Sequence, residues 1–155
     1  MRSSILQKLI LGFAITVTGA LAADASLGTW KLNMEKSKFS PSAPVKSLTA
    51  TREASDDGVK VTMTGERADG TPINGSYTAK YDGKEYPVTG APYDSIAIKQ
   101  VNANTFTTTQ KNSVTKYNTR SRAVISKDGK TMTITVRGTG TDGKPLKNTM
   151  VYEKQ

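Results

Sequence analysis

Histidine and cysteine, which carry most nucleophilic, metal and haem chemistry in proteins, are both missing from these 155 residues. Ser-His and Cys-His nucleophilic pairs, His-based metal sites and His-ligated haem are thereby excluded. Any chemistry would have to rest on Asp, Glu, Tyr or Lys. Spacing suggests it in one place, Tyr81-Asp82-Gly83-Lys84-Glu85-Tyr86-Pro87-Val88-Thr89-Gly90, where Asp82 and Glu85 stand close enough for acid–base pairing. Asp-Gly reads as a hairpin turn, however, and a turn leaves the Asp82 carboxylate in water with nothing to raise its pKa. No catalytic residue, metal or cofactor is expected, and the stretch reads better as a rim loop that shapes the mouth of a cavity.

Residues suited to binding are better represented. Tyr77, Tyr81 and Tyr152 share the parity of apolar neighbours and should point inward, offering flat walls with a hydroxyl at the tip. Tyr86 belongs to the rim stretch, and Met150 would supply an adaptable wall. Trp30 could line a ligand cavity, although a lone buried indole usually serves packing. Gly28-Thr29-Trp30 resembles the Gly-x-Trp strands in which such a Trp plugs one end of a barrel beneath a basic side chain, and Arg137 or Arg122 is the partner that resemblance implies. Arg120 and Arg122 alternate with Thr119, Ser121 and Ala123; neither face is clearly apolar, and an exposed basic stripe is the expectation.

These side chains need elements to position them, and the pattern along the chain has period two. Trp30, Leu32 and Met34 alternate with Lys31 and Asn33. Val59, Val61 and Met63 alternate with Lys60, Thr62 and Thr64, and Ile73, Gly75, Tyr77, Ala79 and Tyr81 with polar residues. The same holds for Ile96 and Ile98, for Met132, Ile134 and Val136, and for Leu146, Asn148, Met150 and Tyr152. Each run fits a strand with one buried and one wet face. Asp-Gly at positions 57–58, 69–70, 82–83, 128–129 and 142–143 supplies hairpin turns between runs. The best helical candidate is a short turn around Met34 to Phe39, before Pro41 and Pro44. The fold predicted is all-β, an antiparallel up-and-down meander barrel of about eight to ten strands, since closure removes exposed edges. A two-sheet sandwich is the alternative.

Arg2 and Lys8, the apolar run Leu9 to Val17 and the small residues Thr18 to Ala22 read as a secretory signal peptide with an Ala20-x-Ala22 cleavage site. The expected division is 1–22 signal peptide and 23–155 a single barrel domain, secreted or periplasmic, with no membrane span after cleavage. Net charge is +9; without Arg2 and Lys8, 20 basic residues face 13 acidic ones, leaving +7. Such a surface suits acidic polymers or simple solubility, and nothing in it specifies nucleic acid.

Both ends of the chain carry a resemblance. Gly28-Thr29-Trp30-Lys31-Leu32 resembles the Gly-x-Trp opening of the first strand in the calycins, the lipocalin and fatty-acid-binding barrels. Thr149-Met150-Val151-Tyr152-Glu153-Lys154 looks like the last strand of intracellular fatty-acid-binding proteins, where an Arg and a Tyr hold the ligand carboxylate. Tyr152 matches that Tyr, but Met150 stands at the Arg position, and the two-helix lid has no counterpart in the short, proline-rich segment 36–46. The chain is also similar to a group of small secreted bacterial proteins sharing Gly28 to Asn33, Lys36 to Phe39, Tyr81 to Gly90 and Val151 to Lys154. That resemblance brings no activity with it.

The reading that results is a lipocalin-like barrel holding a small, mostly apolar or amphiphilic ligand without chemistry, with Trp30, Tyr77, Tyr81, Tyr86, Arg137, Met150 and Tyr152 as site residues. It requires an interior cavity of about 300 Å³ or more. The alternative is an interaction protein that binds acidic envelope polymers or another protein through its basic outer face and rim loops. Oligomeric state is not legible.

Overall fold

A computed structural model describes residues 24–155; the export signal read at 1–22 lies outside them. Ten antiparallel strands close into a barrel: β1 (Gly28–Ser40), β2 (Val45–Ser55), β3 (Gly58–Arg67), β4 (Pro72–Lys80), β5 (Asp82–Thr89), β6 (Ser95–Asn102), β7 (Thr105–Lys111), β8 (Asn118–Ile125), β9 (Thr131–Thr139) and β10 (Pro145–Lys154). Each strand pairs with its successor, and β1 closes the ring on β10. The all-β meander barrel expected from the alternating pattern is what forms, and no helix occurs among the described residues. Closure removes most free strand edges among the described residues; the β4–β5 seam is the thinnest, paired only at Ser76–Thr89 and Tyr77–Val88.

Alternation explains most of the wall. On β8, Thr119, Ser121, Ala123 and Ile125 are buried while Asn118, Arg120, Arg122 and Val124 are exposed. That settles the two arginines as an outer stripe. The helical turn expected near Met34 to Phe39 does not form. β1 runs through it with a bulge between Asn33 and Lys38. Ser37 Oγ donates to Asn33 O (2.6 Å) and accepts from Val151 N (2.9 Å), so a hydroxyl repairs the broken ladder.

The Asp-Gly signals share one mechanism. At Asp82, Asp128 and Asp142, Oδ1 accepts the backbone N–H of the Lys two residues on, at 2.9 to 3.0 Å. Asp69 does the same for Thr71. Each of the four following glycines takes positive φ. At 57–58 the left-handed residue is Asp56 instead.

The barrel's two ends differ. The lower one is packed solid: Trp30, Val59, Val61 and Ile98 are essentially inaccessible, with Phe106, Ile125 and Met132 among them. Its turns, 56–57, 81, 103–104 and 126–130, are mostly tight. At the upper end the loops 41–44, 68–71, 90–94, 112–117 and 140–144 are longer. Gly90 opens one of them with φ +70°, and a Cβ there would lie 1.9 Å from Asn74 O, so only glycine lets that loop fold against β4.

Candidate functional site

The floor is built around Trp30. Its indole N–H donates to Ser26 O at 2.8 Å, and Lys154 Nζ sits 5.2 Å from the ring centroid. The plug expected of this residue is in place, and it does not line the cavity. Its cation is Lys154 rather than Arg137 or Arg122, because Lys154 is the cross-strand partner of Trp30 whereas both arginines are exposed on the outer wall.

A hydrogen-bond relay crosses the floor beside the indole. Arg52 Nη2 donates to Ser26 Oγ (3.4 Å), Ser26 Oγ lies 3.4 Å from Tyr81 Oη, and Tyr81 Oη donates to Asp24 Oδ2 (2.6 Å). Asp24 Oδ1 also accepts the Ser26 N–H at 2.8 Å. Burial, with the Asp24 bond second, pushes the Tyr81 hydroxyl up to about 12. Tyr81 points inward as its parity predicts, but it packs on Phe106 with centroids 5.1 Å apart and belongs to the floor, outside the cavity lining.

Above the floor lies a cavity of about 260 Å³. This falls short of the ~300 Å³ that the sequence reading requires: the interior is half filled, solid below and open above, and the expected roomy lumen is reduced to its upper part. Its wall is predominantly apolar, with Leu48, Ala50, Met63, Ile134, Met150 and Tyr77 prominent. Tyr93 and Tyr117 stack near the upper loops with centroids 5.8 Å apart. Arg67, also at this end, donates to the carbonyls of Pro72 and Gly90 and so ties the loops together. Burial raises the hydroxyls of Tyr93, Tyr117 and Tyr152 above their ordinary range, so all three are neutral donors at physiological pH.

Of the seven residues singled out from the sequence, Tyr77, Met150 and Tyr152 line the cavity, while Trp30, Tyr81, Tyr86 and Arg137 do not. Tyr86 turns its hydroxyl to Asp82 Oδ2 at 2.6 Å, beside the floor rather than at the mouth. That bond, then the Lys84 N–H, holds the exposed Asp82 carboxyl below its usual range; the group is lowered, the opposite of what a general acid would need. Glu85 pairs with Lys111 at 2.9 Å. The imagined acid–base pair is thus divided between two outward contacts. Arg137 is exposed because it alternates with inward Val136.

Sequence reasoning missed Arg52, Met63, Ile134, Tyr93 and Tyr117. Arg52 was available: Leu48, Ala50 and Arg52 alternate with Thr49, Thr51 and Glu53, which puts a guanidinium on an otherwise apolar inner row. Among the described residues no group of three or more acidic side chains could hold a metal ion.

No protein-family model and no curated protein matches the chain. Solved structures do. The chain is similar to EF1p2_mFAP2b bound to DFHBI, with TM-score 0.51, 11% identity, and 86% of this chain and 97% of that one covered. It also matches a redesigned β-barrel, mFAP1, bound to DFHBI, at TM-score 0.44 and 16% identity, covering 86% and 98%. A third match is a de novo designed fluorescence-activating β-barrel, at TM-score 0.43 and 14% identity, covering 86% and 97%. At such identities the first match supports the class, a small antiparallel β-barrel, and nothing finer.

Proposed function

We propose that the lumen binds a small, mostly apolar molecule and performs no chemistry on it. The observation that carries this reading is the half-filled interior, in which a packed floor under Trp30 supports an apolar cavity of about 260 Å³. A barrel needing only stability would gain by filling that space, since voids forfeit packing contacts. The similar barrel bound to DFHBI is a precedent for a ligand in this architecture. The reading includes export: the pattern over 1–22 sends the domain to the periplasm or outside the cell, where a calycin-like barrel would act as a carrier. Native mass spectrometry of the protein from its own host, followed by solvent extraction, tests it. One predominantly apolar molecule per chain, on a chain beginning at Ala23, is expected. A ligand-free chain, or one carrying only polar anions, contradicts it.

A second reading rests on a separate observation, the outer wall. Lys147, Arg137 and Arg120 stand directly opposite one another on β10, β9 and β8, spanning about 10 Å at ordinary strand spacing. Arg122 lies two residues along from Arg120. These three strands carry a single carboxylate, Glu153, which is paired with Lys36 at 2.7 Å. Facing like charges cost stability, and an acidic polymer would relieve the repulsion. Binding to an acidic polysaccharide that weakens steeply with salt and is lost in Arg137→Glu is the expected result; salt-independent binding contradicts this reading.

A further inference from the structure

Two charged side chains line the lumen: Arg67 at the mouth, committed to the carbonyls of Pro72 and Gly90, and Arg52, whose place no hydrophobic carrier requires. Arg52 extends from β2 in line with Leu48 and Ala50 and lines the cavity just above the floor. Its Nε is fully buried without a hydrogen-bond partner. Among the described residues the guanidinium makes one hydrogen bond, the long 3.4 Å contact to Ser26 Oγ, although it offers five N–H donors. No described carboxylate forms an ion pair with it: the four pairs use Lys36, Lys46, Lys111 and Lys144. Asp24, linked to it only through Ser26 and Tyr81, is committed to the Tyr81 hydroxyl and the Ser26 amide.

A guanidinium facing an apolar cavity with most of its donors idle is costly. Water could occupy the donors but would leave the charge unneutralised. An anionic group does both, and the planar fork of arginine fits a carboxylate, sulfonate or phosphate with two parallel bonds. We infer that Arg52 is the anchor for an acidic head group, so that the ligand is an anionic amphiphile seated with its acid on the floor and its apolar body toward Met63, Met150 and Ile134. This rests on the lumen reading above and specifies its ligand class. It also fixes direction: the head enters first, and the neutral aromatic pair Tyr93–Tyr117 is left near the exit.

Two fluorescent probes that differ only in one acidic group separate the possibilities: anilinonaphthalene sulfonate and its uncharged parent, phenylnaphthylamine. Both are titrated into the full folded chain, at low and at high salt. The wild type should prefer the sulfonate by about ten- to a hundredfold, the worth of one charged hydrogen-bonded contact, and the preference should survive high salt because Arg52 lies at the bottom of the cavity with its Nε fully buried. Arg52→Met should remove the preference and leave phenylnaphthylamine binding unchanged or tighter; Arg52→Lys should keep part of it. Equal binding of both probes to the wild type, or a preference that persists in Arg52→Met, overturns the anchor while leaving the lumen reading intact. Failure of both probes to bind overturns the lumen reading itself; failure of the sulfonate alone overturns only the anchor. A preference abolished by salt assigns the sulfonate to the outer basic wall and also overturns the anchor. Should Arg52→Met not fold, the wild-type preference and the Arg52→Lys value decide the matter alone.

Discussion

The two ends of this barrel are made from the same strands and do opposite things. At the floor, tight turns bring strand ends together over a fully buried Trp30, and the polar groups of Ser26, Tyr81 and Asp24 satisfy one another. At the mouth, Pro41, Pro44 and Pro92 lie in the connecting loops, and Pro72 and Pro145 begin the strands that leave them. Proline cannot continue a sheet ladder, so it holds these loops apart from the strands. The floor connections contain no proline. Stability is thus concentrated at one end and access at the other, and the cavity is the space between.

Several experiments sharpen or break this division. The largest effect belongs to the plug. Trp30→Ala should cost about 3–5 kcal/mol in denaturant unfolding, as expected for emptying a fully buried aromatic site. A loss below about 1 kcal/mol would show that the floor is not where stability resides. Next comes Tyr81→Phe, which deletes the hydroxyl bonded to Asp24 and should cost about 1–2 kcal/mol without altering probe affinity. A large affinity change would instead bring Tyr81 into the ligand site.

Alkaline titration probes the same relay. Tyr81 is raised from 10.0 to about 12 in the fold, so the native state holds this proton more tightly than the unfolded chain does. Its contribution is complete below about pH 10 and is lost as pH climbs through about 12. Unfolding midpoints measured from about pH 8 to 12 should therefore fall above about pH 10, and Tyr81→Phe should fall less. A midpoint that is flat across that range in the wild type would contradict the buried, Asp24-bonded hydroxyl.

The smallest effect is on the outer wall. Arg137→Thr removes the middle cation of the Lys147–Arg137–Arg120 row and should stabilise the barrel by about 0.2–1 kcal/mol. Destabilisation would mean that the row is held by contacts other than charge.

How far the sequence foretold all this differs between the ends for the same physical reason. Strands whose alternation was clean, such as the Val59–Met63 and Met132–Val136 runs, could be oriented residue by residue. The Asp-Gly turns were recognisable because one carboxylate-to-amide bond recurs in them. Trp30 as a plug was legible too, but not its cation, because Lys154 is its neighbour only through the β1–β10 closure, which joins the first strand to the last. Arg52 went unread because β2 carries a charge on its inner row and Thr on its outer one, so hydrophobicity alone hid the strand's parity. Tyr93 and Tyr117 lie in loops, where no period exists to orient a side chain.

The central claim is that the space above the floor is a binding site, and filling it is the most direct test. Phenylnaphthylamine should bind wild-type protein at one site per chain. Ala50→Phe, which projects a ring into the cavity from β2, should abolish that binding while the circular dichroism spectrum and unfolding midpoint remain those of the folded barrel; Met150→Phe serves the same purpose from β10. Undiminished one-to-one binding to a folded, cavity-filled variant would contradict the account and move the ligand outside the lumen.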